Sequence, residues 1–109
     1  MASEDSVDVV LLTKNSERIL TKCVESIYDN VPIAQLIVVD GYSEDKTLHI
    51  INEFEAKYHN IKILMDKGTR ATARQKGIDN VTTEWFLFVD IGQKSLQDYA
   101  KSPQQVYSG

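Results

Sequence analysis

Leu36-Ile37-Val38-Val39-Asp40-Gly41-Tyr42-Ser43-Glu44-Asp45-Lys46-Thr47 is the stretch on which the fold turns. Four apolar residues without alternation describe a strand buried on both faces. Asp40 then falls at the strand's carboxyl end, where open parallel α/β sheets bind their ligands. Gly41 is expected to turn the chain with φ > 0, and Ser43 to cap the helix that follows. The stretch therefore sets an acidic side chain at the mouth of a crevice, beside free backbone N–H groups.

The same alternation of strand, turn and helix extends to either side. Residues 1–6 are polar and acidic and are expected to form a flexible leader. Val7–Leu12 is a first apolar strand with Asp8 at its entry. Asn15 or Ser16 is placed to cap a helix over 17–28, whose Ile19, Leu20, Cys23, Val24 and Ile27 share one face. Cys23 in that stripe is a small core residue rather than a reactive thiol. Val31-Pro32 ends the helix, and Gln35–Val39 is the second strand. A second helix over 45–58 buries Thr47, Ile50, Ile51, Phe54 and Tyr58, leaves His49 on the surface, and ends at His59, where the helix dipole favours a cation.

Ile61–Met65 is a third strand, and the loop Asp66-Lys67-Gly68-Thr69 leads into a third helix over 70–80. Ala73, Gly77, Ile78 and Val81 form its apolar stripe. A glycine inside a helix costs ~1 kcal/mol relative to alanine, so Gly77 signals close approach of that helix to the sheet. A fourth strand, Glu84–Val89, enters Asp90 as the second strand enters Asp40. Residues 91–109 form a polar tail in which Leu96 and Tyr99 allow one short helical turn. The order β-α-β-α-β-α-β predicts one α/β domain over 7–90: a parallel sheet with right-handed crossovers and helices on both faces.

Composition narrows the function classes. A hydrophobic content of 42% in 109 residues suits one small globular domain. The net charge of -4, with Lys and Arg scattered, argues against a nucleic-acid or anionic-membrane surface. A single cysteine excludes an intrachain disulfide and a cysteine-rich zinc site. The start lacks a signal peptide's basic and apolar regions, and no apolar run approaches the ~20 residues of a membrane span. The expectation is a cytoplasmic protein that does not span a membrane.

Four stretches carry a resemblance to the nucleotide-binding half of a family 2 inverting glycosyltransferase of the GT-A fold. Leu12-Thr13-Lys14-Asn15-Ser16-Glu17 resembles the family's Ile-Thr-Lys-Asn-Glu ending of strand one. Val38-Val39-Asp40-Gly41-Tyr42-Ser43-Glu44-Asp45-Lys46-Thr47 is similar to its Val-Val-Asp-Asp/Gly-Gly-Ser-x-Asp-Gly-Thr motif. Ala73-Arg74-Gln75-Lys76-Gly77 resembles Ala-Arg-Asn-x-Gly, and Glu84–Asp90 resembles the strand that enters an Asp-x-Asp motif. The resemblance covers residues 7–90. It implies a Rossmann-like sheet ordered 3-2-1-4 and a nucleotide diphosphate sugar as ligand, with a divalent cation, Mg²⁺ or Mn²⁺. By the same resemblance Thr13 and Asn15 border the nucleoside, and Asp40 holds the base or ribose. Arg74 lies near the pyrophosphate, and Asp90 near ribose and metal.

Two departures qualify these expectations. Gly92 stands where the second carboxylate of Asp-x-Asp binds metal in the family, and the chain ends at Gly109, too soon after Asp90 for an acceptor-binding half with a catalytic base. The expected function is thus donor binding by a truncated glycosyltransferase domain, weakly active or inactive alone. The alternative is a non-catalytic nucleotide-binding or self-associating α/β module. A receiver-like use of Asp40 as phosphoacceptor ranks last, because Lys14-Asn15 supplies no acidic pair. The 3-2-1-4 order also makes strand four an edge. Trp85–Val89 exposed there invites self-association, as a dimer about a two-fold axis. In the opposing expectation the tail folds back over that edge.

Overall fold

The computed structural model describes residues 6–91 and the backbone of 106–108. In order the elements are β1 (Val7–Thr13), α1 (Glu17–Asn30), β2 (Ile33–Asp40), α2 (Thr47–Tyr58), β3 (Ile61–Met65), α3 (Arg70–Asp79), β4 (Trp85–Asp90) and β5 (Val106–Ser108). The strands form one sheet ordered β3-β2-β1-β4-β5. β1 to β4 are mutually parallel, in the expected order, and β5 is antiparallel to β4.

Strand alternation sorts the core into two layers. Val9 and Leu11 of β1, Leu36 and Val38 of β2 and Val89 of β4 face Leu20, Cys23, Val24 and Ile27 of α1 and Ile51 and Phe54 of α2. The intervening residues Val10, Leu12, Ile37, Val39 and Phe86 face α3, through Ala73 and Ile78. β1 and β2 therefore carry apolar side chains at consecutive positions, because both of their faces are covered. Cys23 is buried among the α1 contacts, and burial pushes its thiol up to about 12, as a core residue requires. Ile19 departs from its predicted stripe and is 39% exposed. At the lower end of the sheet Asp8 is buried. Its Oδ2 accepts hydrogen bonds from Thr82 N–H at 2.6 Å and Gln35 Nε2 at 3.1 Å, tying the start of β1 to the approach to β4.

Two local expectations are corrected. The positive φ belongs to Tyr42, at 60°, and no glycine among the described residues has one. Ser43 does not cap α2. That helix starts at Thr47 after Lys46, and Asp45 Oδ1 accepts from the Thr47 N–H instead. Ser43 turns back to Asp40, because a carboxylate at a buried strand end needs donors more than an exposed helix start does. His59 closes α2 in the left-handed region, at φ 61°, with its N–H donated to Glu55 O.

β5 pairs with Trp85, Phe86 and Leu87. The edge of β4 offered by the sequence for a second copy is thus paired over those residues by the chain itself, the opposing expectation for the tail. Trp85 stays 51% exposed. Residues 1–5 of the expected leader and the short helical turn around Leu96 and Tyr99 lie outside the described residues. No helix among the described residues is long and apolar enough to cross a membrane.

Gly77 confirms the expected close approach. A Cβ there would meet Val10 Cγ1 at 2.4 Å and Val39 Cγ2 at 3.3 Å. Overpacking a core costs about 1–3 kcal/mol, against a gain of about 1 kcal/mol in helix propensity. Gly77→Ala should therefore lose about 1–2 kcal/mol in urea unfolding, with an unchanged m-value; a more stable variant would show that α3 can move outward without cost.

Candidate functional site

The sheet's order creates the site. From β1 the chain steps outward through β2 to β3, then α3 carries it back across to β4 on the other side of β1. α1, which follows β1, and α3, which precedes β4, cover opposite faces of the sheet, and a crevice opens at the carboxyl ends of the strands. A cleft of about 300 Å³ lies there. Leu12 and Thr13 at the end of β1, Lys14 after it, Gly41 after β2, Asp66-Lys67-Gly68 after β3, Thr69, Arg70 and Ala73 at the start of α3, and Asp90 at the end of β4 line it. A second cleft of about 370 Å³ adjoins it and shares Leu12, Arg70 and Asp90, adding Arg74, Gln75, Ile78 and Phe88 among others.

The floor is a hydrogen-bonded knot between two loops. Asp40 is 0% exposed. Its Oδ1 accepts from Thr13 Oγ1 at 2.6 Å and Ser43 Oγ at 2.7 Å, and its Oδ2 accepts from Ser43 N–H at 2.7 Å. Gly41 N–H donates to Thr13 O at 2.9 Å, and Lys14 Nζ to Gly41 O at 2.6 Å. Asn15, at φ 46°, donates its N–H to Ser43 Oγ and accepts from Glu44 N–H, each at 2.7 Å. Further out, Ser16 N–H donates to Thr47 Oγ1 and Glu17 N–H to Asp45 Oδ2. Beyond the last ladder pair, Thr13 and Asp40, residues 14–17 and 41–47 are thus closed onto one another by loop hydrogen bonds.

Arg70 spans the boundary between the two clefts. Its Nε donates to Asp90 Oδ2 at 2.8 Å, with the carboxylate side chain 15% exposed and the arginine 55%. Lys67 lies over the Tyr42 ring at 5.3 Å, and the Arg74 guanidinium over Phe88 at 4.8 Å. At the N-terminus of α3, Thr69 Oγ1 accepts from Thr72 N–H, which fixes the helix start. Lys14, Lys67 and Arg70 give the first cleft three cations against the two carboxylates Asp66 and Asp90, in a chain whose net charge is -4.

Of the residues singled out from the sequence, Thr13 and Asp90 line the first cleft, and Asp90 and Arg74 the second. Asp40 and Asn15 do not line either; they hold the loops that do. Lys14, Asp66, Lys67 and Arg70 were not singled out. A signal was present in the charged run Asp66-Lys67-Gly68-Thr69-Arg70, which follows a parallel strand just as the Asp40 loop does.

A divalent cation of the Mg²⁺ or Mn²⁺ kind wants several oxygen ligands in near-octahedral array. Among the described residues no group of three or more His, Cys, Asp or Glu could hold one. Asp90 is paired with Arg70. Asp66 Oδ1 accepts from Gly68 N–H at 2.6 Å and Thr72 Oγ1 at 3.0 Å, and Lys76 lies 3.7 Å from its Oδ2. These residues do not fit a protein-built metal centre.

The Gly68 N–H bond holds the Asp66 carboxyl below the usual carboxylate range, and partial burial opposing it is outweighed with the help of Thr72 and Lys76. For Asp45 partial burial raises the affinity for protons, but the hydrogen bonds from Thr47 and Glu17 overcome it and the carboxyl again lies low. Each group binds protons more weakly folded than unfolded, so its stabilisation is fully present above an unfolded pKa of about 4 and fades as pH falls through the lower folded value. Urea midpoints measured at neutral pH and down through about pH 4 to 3 should therefore drop, and the drop should be shallower in an Asp45→Asn/Asp66→Asn variant. Equal slopes for parent and variant would remove these carboxyls as the cause.

Comparison with known proteins gives a consistent result. Residues 8–91 match the family model described as glycosyl transferase family 2. A dolichyl N-acetyl-α-D-glucosaminyl phosphate 3-β-D-2,3-diacetamido-2,3-dideoxy-β-D-glucuronosyltransferase of Methanococcus voltae is 30% identical over 107 residues, 93% of this chain and 33% of that protein. The crystal structure of S. aureus TarS 1-349 in complex with UDP superimposes with a TM-score of 0.68 at 25% identity, over 92% of this chain and 32% of that one. The mannosyltransferase PcManGT from Pyrobaculum calidifontis, in complex with GDP-Man and Mn²⁺, gives 0.69 at 20% identity, over 78% of this chain and 27% of that one, a likeness of fold. The chain thus spans about a third or less of the length of each of these three proteins.

Proposed function

The chain belongs to glycosyl transferase family 2, and from that premise we propose that its strand-end cleft binds the diphosphate and adjoining nucleoside of a nucleotide sugar donor. The observation that carries this reading is the gathering of Lys14, Lys67 and Arg70 with the start of α3 around one cleft. Backbone N–H groups at a helix start and flanking cations suit a diphosphate. Thr13 offers its oxygen to a ribose hydroxyl or base N–H, Asp90 holds Arg70 at the cleft, and Arg74 extends the cationic wall into the second cleft. Asp40 and Asn15 serve the site by shaping its floor.

In sugar transfer an acceptor hydroxyl attacks the anomeric carbon while the bond to the diphosphate breaks, and negative charge develops on the leaving oxygens. Fixed cations at that position stabilise the transition state without reorganising. The same step needs a base for the acceptor's proton. The carboxylates lining the first cleft are Asp66 and Asp90, and both are already held by cations. We therefore assign donor binding to these residues, with no transfer by them alone.

Calorimetric titration with UDP and with GDP tests the proposal. Heat should appear with at least one of them, and its strength should fall with added salt. Lys67 is exposed, so Lys67→Glu should leave the fold intact and weaken binding about tenfold, a change of about 1.4 kcal/mol. Binding unaffected by that reversal would place the diphosphate elsewhere.

A further inference from the structure

We infer that the Arg70 guanidinium stands where a divalent cation would otherwise meet the donor, so that this site takes a nucleoside diphosphate without metal. The inference rests on the donor-site reading above and adds the identity of the group that neutralises the phosphates.

Three observations converge on it. Arg70 is the first residue of α3, and its side chain reaches Asp90 Oδ2 at 2.8 Å, the carboxylate at the end of β4. A metal ion at that oxygen would have to displace the guanidinium or sit against its positive charge. Second, the other carboxylate of the cleft, Asp66, is committed to Gly68 N–H, Thr72 Oγ1 and Lys76, and the position two residues beyond Asp90 is Gly92, which carries no ligand atom in its side chain. Third, Arg70 lines both clefts, its side chain is 55% exposed, and it meets Asp90 through Nε. A guanidinium held through Nε presents its remaining donors as a planar fork, the geometry that matches two phosphate oxygens. Asp90 is then a positioning residue: it holds Arg70 by one edge and leaves the other for the ligand. Lys14 and Lys67 supply point charges to the same cleft.

The test uses the 109-residue chain titrated with UDP and GDP, in EDTA and again with Mn²⁺ or Mg²⁺. The expected result is binding in EDTA, with affinity within about threefold of that measured with metal. Arg70→Met should weaken binding at least about tenfold in both buffers, with far-UV dichroism and the urea transition confirming that the variant is folded. Arg70→Lys should recover part of the loss, as a point charge without the fork. Asp90→Asn separates the two roles of that carboxylate: a positioning residue costs about threefold or less, whereas a metal ligand would cost binding altogether and only in the metal-containing buffer. Binding that vanishes in EDTA and returns with Mn²⁺ would overturn the inference and leave the donor site standing. Absence of binding under every condition would overturn both. An Arg70→Met protein that bound like the parent would overturn the assignment of Arg70.

Discussion

The carboxylate of Asp40 is the constraint from which the site is built. It ends β2 in the interior, fully covered, where an unpartnered carboxylate would be costly by several kcal/mol. Three donors meet it, two from Ser43 and one from Thr13. Satisfying that one group obliges the loop after β1 to close onto the loop after β2. Once Thr13 and Ser43 are placed, Gly41 and Asn15 bond across the same gap and Tyr42 is left at φ 60°, a conformation a bulky residue avoids unless its surroundings impose it. The knot is the floor of the cleft. Its buried carboxylate works by shaping the floor and makes no contact with the opening.

The wall has a different origin. α3 lies close on the sheet because Gly77 carries no side chain opposite Val10 and Val39. That contact fixes the helix in height, and its N-terminus then sits level with the ends of β1 and β4. Arg70 is brought within 2.8 Å of Asp90 although the two are twenty residues apart in sequence. A glycine in the middle of a helix and an ion pair at its start are therefore one arrangement, since a helix pushed outward by a methyl group would carry Arg70 away from the strand end. The polarity of the cleft follows from three such placements, each on a different element: Lys14 after β1, Lys67 after β3 and Arg70 on α3.

Much of this could be read in the residues. Apolar runs without alternation at 9–12 and 36–39 announced strands covered on both faces, and the β-α order then left a parallel sheet. Motif spacing over 7–90 gave the family and its strand order. Gly77 was legible as a close approach because helices avoid glycine without a reason. Less could be read where side chains compete for the same partner. Ser43 has the sequence of a helix cap, yet bonds to Asp40 three residues before it. Gly41 is the expected residue for a left-handed turn, yet the left-handed residue is Tyr42. Local propensity cannot weigh a cap against a buried carboxylate, since burial is a property of the assembled sheet.

By itself, the sequence determined the order and kind of the elements, the two faces of the sheet and the strand ends at which a ligand could sit. These depend on periodicity, which each segment carries alone. Only the tertiary structure decided which charges face the cleft. Asp40 is withdrawn beneath the floor, Arg70 and Asp90 are joined across it, and Lys14 and Lys67 come to share it from separate loops. Such neighbours are distant along the chain, and their distances follow from strand order and helix height, quantities that exist only once the sheet has formed and α3 has settled against Val10.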